Sequence, residues 1–122
     1  MTEANPIIHV VAGSATTTGS TTTLISYVPD NSDVVIHVHW TVVGRETSSG
    51  QITTYEAIAS FKNPSGSMAQ SGTTTVLHEV DEDTNVTFTE TGSGAAILLQ
   101  VNPSPDTTQW SAWAQFTVYV TV

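Results

Sequence analysis

Hydrophobic and polar residues alternate along most of this chain with a period of two. In the segment 34–43, VVIHVHWTVV, the even positions are Val34, Ile36, Val38, Trp40 and Val42, and the odd positions are Val35, His37, His39, Thr41 and Val43. One face is wholly apolar and the other mixed, the pattern of a half-buried strand. The last segment, WSAWAQFTVYVTV, is longer and clearer. Trp110, Ala112, Ala114, Phe116, Val118, Val120 and Val122 fall on one face, and Ser111, Trp113, Gln115, Thr117, Tyr119 and Thr121 on the other.

Shorter runs lie between these two. ITTYEAIASFK places Tyr55, Ala57, Ala59 and Phe61 together. Asn-Pro-Ser-Gly then predicts a turn, because Pro64 presets its φ and Gly66 tolerates positive φ. SMAQSGTTTVLHEV reads as the returning strand, interrupted near Gly72. NVTFTET sets Val86 and Phe88 against Thr87 and Thr89, and AAILLQVN carries Ile97, Leu99 and Val101 on one face. PIIHVVAG and TTTLISYVP are two further strands, joined by the Ser/Thr/Gly segment from Gly13 to Ser20. NPSPDTTQ is a polar loop. The pattern predicts roughly eight strands and no amphipathic helix, an all-β chain folded as an antiparallel sandwich or jelly roll.

Composition sharpens this picture. The 122 residues suit one domain with a real core. We expect an N-terminal arm over residues 1–8 and a β-sandwich over 9–122. The net charge is −9, and the basic residues are Arg45 and Lys62 alone. A phosphate-backbone binder needs clustered Lys and Arg, so nucleic acid is excluded as a partner, and an anionic membrane surface for the same reason. Charged residues make up 11% of the chain, about half the usual fraction, and Thr and Ser replace them. Such a surface suits β-structure and suits burial against neighbouring subunits. There is no cysteine, hence no disulfide and no thiolate metal site. No run approaches the roughly 20 apolar residues of a membrane span, and the N-terminus lacks the basic segment of a signal peptide.

Candidate chemistry is sparse. His37 and His39 share one strand face, about 7 Å apart at Cα, and could place two ring nitrogens on one metal ion. A catalytic zinc site needs a third protein ligand, for which His9, His78 and Glu46 are the candidates. The pair resembles the opening of the cupin motif, but the next acid, Glu46, comes seven positions after His39, too far for that spacing, and the preceding glycine is missing. We therefore read the pair as the more polar face of a strand, packed in a trimer interface or half exposed, with a cupin-like metal protein as the third alternative. Three copies meeting at an axis could also gather one histidine each around an ion. Glu79 and the run DEDTN, Asp81 to Asn85, form an acidic cluster without the calcium-loop pattern, and read as a solvated loop. GSGAA lacks nucleotide-loop spacing, and no serine sits in a nucleophile elbow. No catalytic residue and no cofactor is expected. Trp40 and Trp110 fall on apolar faces and belong to the core. Trp113 falls on the opposite face, where a tryptophan serves as an interface anchor or a sugar platform.

Over about two-thirds of its length the chain resembles a β-domain of bacteriophage virion proteins. The residues that carry this are Tyr55 to Asn63 (YEAIASFKN), Gly72 to Leu77 (GTTTVL), the acidic stretch Asp81 to Asp83, and Trp110 to Val118 (WSAWAQFTV). The resemblance implies a homotrimeric, non-enzymatic structural protein on the particle surface. A chain opening on its own methionine is expected to be a small stand-alone protein, and the leading expectation is a capsid decoration or cement protein bound to the major capsid protein. The alternative is a tail-fibre or head-fibre tip, with a host-surface glycan as partner. The expected interface residues are Ile7, Ile8, His37, His39, Trp113 and Tyr119, with the arm adding to a neighbour's sheet edge.

Overall fold

The protein is an all-β sandwich of two antiparallel sheets, seen in a computed structural model that describes residues 6–120. Eight strands follow in order: β1 (Ile7–Thr17), β2 (Thr22–Tyr27), β3 (Val34–Glu46), β4 (Ile52–Lys62), β5 (Ala69–Asp81), β6 (Thr87–Ser93), β7 (Ala96–Asn102) and β8 (Thr108–Val120). The larger sheet has the order β1-β8-β3-β4-β5, and the smaller β2-β7-β6. Each alternating run of the sequence became a strand because period-two burial puts every second side chain into the space between the sheets. In β3 the even positions Val34 to Val42 are buried, and in β8 the even positions Trp110 to Val118 are buried. Val38 of β3 stands opposite Phe116 of β8 and Ala59 of β4, so three strands deliver their apolar faces to one layer.

The core is one contiguous cluster. Trp40, Phe61, Phe116 and Ile36 from the larger sheet meet Ile97, Leu99 and Val101 from β7. An aromatic group spans the interlayer space: Phe88 of β6 stacks on Tyr55 at 4.2 Å between ring centroids and meets Trp40 and Trp110 edge-on. Edge-to-face and offset contacts of this kind are preferred because ring faces are negative and ring edges positive.

The structure departs from the sequence expectation along Gly13 to Ser20. That segment reads as a linker, but β1 continues through it to Thr17, and the turn occupies only residues 18–21. The cause is tertiary. At Gly13 the backbone of β1 lies against that of β2, and a Cβ there would stand 1.9 Å from the Leu24 carbonyl oxygen. Glycine lets the edges of the two sheets close on each other. The predicted turn at Asn63 to Gly66 forms a single 3₁₀ turn, with Gly66 at φ +83° and its N–H donating to the Asn63 carbonyl at 3.0 Å. The break expected near Gly72 is an irregularity in the β4–β5 register, where Gly72 takes φ +73°.

The β1–β2, β3–β4, β5–β6 and β7–β8 connections gather at one end of the sandwich. The β2–β3, β4–β5 and β6–β7 connections gather at the other. Of the expected arm, Ile7 and Ile8 form the first rungs of β1, paired with Val118 and Thr117 of the chain's own β8. Its residues 1–5 lie outside the described residues. Among the described residues no helix is long and apolar enough to cross a membrane.

Candidate functional site

The two sheets differ in width, and the outward face of the larger one is the most distinctive surface of the molecule. Pairing registers assign its residues. One row crosses the sheet as Val10, Gln115, His39, Ile58 and Thr75, and the next as Ala12, Trp113, Thr41, Glu56 and His78. Ile8, Thr117, His37, Ser60 and Ser71 form the row on the other side of the first. Large apolar side chains stand open to solvent here: Val10 is 67% exposed, Ile8 59%, Trp113 44% and Tyr119 43%, with Val35 and Val43 between them. No concave pocket exists among the described residues, so the candidate is a face and not a cleft.

Charge is distributed unevenly between this face and the rest. Both basic residues, Arg45 and Lys62, sit at outward positions of β3 and β4, while Glu56 is the one acid at an outward position of the five strands. The remaining described acids lie in the connections, at inward positions or on the smaller sheet. A strongly acidic molecule thus carries one broad face with almost no acidic charge. Few acids together with exposed aromatics is a compositional mark of an interface.

The expected interface residues separate into two groups. Ile8, His37, His39, Trp113 and Tyr119 all occupy this outward face. Trp113 and Tyr119 stand on one strand, six residues apart, about 20 Å by strand rise. Ile7 pairs with the buried Val118 and so points to the inward side, 44% exposed beyond the cover of the smaller sheet. His9 lies on that side as well, its ring 5.6 Å from that of Tyr27, which stacks on Phe116.

The histidine pair has a partner that sequence reasoning missed. His39 Nε2 lies 2.7 Å from Glu56 Oε2 on β4, and the His39 ring is 6.0 Å from Trp113 on the other side. Glu56 is 17 residues away in the chain, and only the β3–β4 register brings the two together. Of the three residues named as a third metal ligand, Glu46 is buried at the inward end of β3 and His9 faces inward on β1. His78 shares the face with the pair, opposite Glu56. Among the described residues, the group of three or more metal-type side chains close enough to share an ion is Glu46, Asp83 and Asp106, and neither His37 nor His39 belongs to it.

A second buried polar group lies inside the sandwich. Glu90 of β6 accepts hydrogen bonds from Trp40 Nε1 at 3.0 Å and Tyr55 OH at 2.8 Å, both at Oε2, and from Thr74 Oγ1 at 2.8 Å at Oε1. Burial, and then the hydrogen bond to Glu90, push the Tyr55 phenol well above its ordinary range, so it stays a donor. This cluster joins the two sheets.

No known protein family matches the chain, and no characterised protein matches it by sequence. Among solved structures, it is similar to the tailspike protein of Acinetobacter baumannii phage AM24, with a TM-score of 0.51 at 9% identity. The match covers 93% of this chain and 26% of the tailspike, so the chain spans about a quarter of that protein's length. At this identity the likeness is one of fold.

Proposed function

We propose that this protein is a non-enzymatic structural component of the bacteriophage virion surface, and more specifically a homotrimeric capsid decoration protein. The observation that carries the reading is the outward face of the five-stranded sheet. It is poor in acidic residues and lined by Ile8, Val10, Trp113 and Tyr119. Five strands of about eleven residues offer roughly 800 Å². That is close to the roughly 800 Å² per partner that a stable protein–protein interface buries. Decoration would work by this burial alone. A trimer seated over neighbouring capsid subunits would tie them together, with Trp113 as an anchor. The resemblance to phage surface domains in sequence pattern, and the likeness of fold to a phage tailspike, support the virion location.

The tailspike likeness also favours a second reading, a domain of a tail appendage that contacts a host-surface glycan, for which an exposed aromatic such as Trp113 offers a stacking surface. Antibody labelling of intact particles under the electron microscope separates the two. Label over the head is expected from the decoration reading. Label on the tail or its fibres overturns decoration in favour of the appendage, and unlabelled particles overturn both.

A further inference from the structure

Three carboxylates that are far apart in sequence converge at the end of the sandwich where four connections gather. Glu46 closes β3, Asp83 lies in the β5–β6 connection, and Asp106 lies in the β7–β8 connection. One carboxylate oxygen from each falls within 4.8 Å of the other two. The cluster runs from the interior to the surface, with Glu46 buried, Asp83 half-buried and Asp106 exposed. Glu46 is 4% exposed, and the neighbouring Ser104 is 2% exposed. Ser104 Oγ lies 3.5 Å from Glu46 Oε1, and Ser49 Oγ donates to Glu46 Oε2 at 2.5 Å. No basic side chain answers the three acids: among the described residues the ion pair is that of His39 and Glu56, on the outward face.

An independent observation points to a missing ligand. Asp83 Oδ2 is sealed from solvent and has no hydrogen-bond partner, and it is the one buried side-chain polar atom among the described residues of which this is true. The other Asp83 oxygen accepts from Asn85 Nδ2 at 3.1 Å. A buried carboxylate oxygen left unpaired is costly and calls for a proton, a water or an ion.

We propose that Glu46, Asp83 and Asp106 bind a calcium ion. Every candidate ligand is a hard oxygen, from carboxylates and from the Ser104 hydroxyl, which suits calcium and disfavours zinc and copper. Calcium holds its oxygens at about 2.3–2.6 Å, so two of its ligands are at most about 5 Å apart, and the three carboxylate oxygens lie within that limit of one another. Magnesium is less suited, because it demands a tight octahedron and keeps its own waters. The rival occupant is a proton. Two neighbouring carboxylates of this cluster can share one.

The position gives the ion a mechanical role. The β5–β6 and β7–β8 connections both pass from one sheet to the other, and Glu46 fixes the start of the β3–β4 turn. A calcium ion would tie both crossovers to the larger sheet, stiffening the end of the sandwich. This inference stands apart from the virion reading.

The test uses the full chain, stripped with a chelator and then titrated with calcium chloride. Calorimetry is expected to find one saturable site. The melting temperature is expected to rise by about 10 °C at a hundredfold excess over the dissociation constant. Asp106 is exposed, so Asp106→Asn should fold, melt no lower than the wild type in chelator, and lose the calcium-dependent rise. No calcium-dependent rise in the wild type overturns the proposal and leaves the shared proton as the occupant. An undiminished rise in Asp106→Asn overturns it as well, because the ion would then bind elsewhere. Equal stabilisation by magnesium at the same concentration overturns the choice of calcium.

Discussion

Replacing Glu90 by alanine removes the acceptor that Trp40, Tyr55 and Thr74 share, and the structure permits its cost to be worked out. Trp40 is fully buried and Tyr55 is 4% exposed, so neither the indole N–H nor the phenol can turn to bulk water. Each stranded buried donor costs about 1–3 kcal/mol. Thr74 is only part-buried, and its hydroxyl can be resolvated. Two stranded donors and the space left by the side chain give an expected loss of about 3–5 kcal/mol for Glu90→Ala. For a chain of this length that lowers the melting temperature by roughly 10–20 °C. Glu90→Gln keeps one oxygen for Trp40 and Tyr55 and turns its amide toward Thr74 Oγ1, so its cost should be about 1 kcal/mol. Urea unfolding of both variants measures these values. A double-mutant cycle adds a specific check. Tyr55→Phe should cost about 1–2 kcal/mol less in the Glu90→Ala background than in the wild type, because the phenol it removes has already lost its partner. If Glu90→Ala costs less than 1 kcal/mol, or if the cycle shows no coupling, Glu90 is not the acceptor that joins the two sheets.

Other consequences are equally direct. Gly13→Ala places a methyl group against the Leu24 carbonyl, a backbone atom that cannot swing aside, so β1 should lose its place over β2; circular dichroism and thermal melting should show a chain at least about 3 kcal/mol less stable. His39 and Glu56 are both about one-third exposed, so His39→Ala should cost the isolated chain less than about 1 kcal/mol by denaturant midpoint. A larger loss would mean that the pair is more than a strand-face contact.

Much of the fold was legible in the sequence, because a strand half-buried in a sandwich writes its environment into every second residue. The even positions of 34–42 and 110–118 specified their inward faces without reference to any partner. The Asn63 to Gly66 turn was equally plain, since its residues act through their own backbone preferences. Only tertiary structure decided which strands became neighbours. β8, last in the chain, lies between β1 and β3, and that placement puts Trp113, His39 and Glu56 on one face. Glu90 follows Val86 and Phe88 on the apolar face of its strand, and an acid is accommodated there because Trp40 and Tyr55 of the opposite sheet supply its donors, which local pattern does not reveal. Glu46, Asp83 and Asp106 carry no common motif, being 37 and 23 residues apart, and three separate connections must close before they meet. Local pattern determines a strand and its buried side; contacts between distant segments depend on the order and register in which those strands pair, which period-two alternation does not encode.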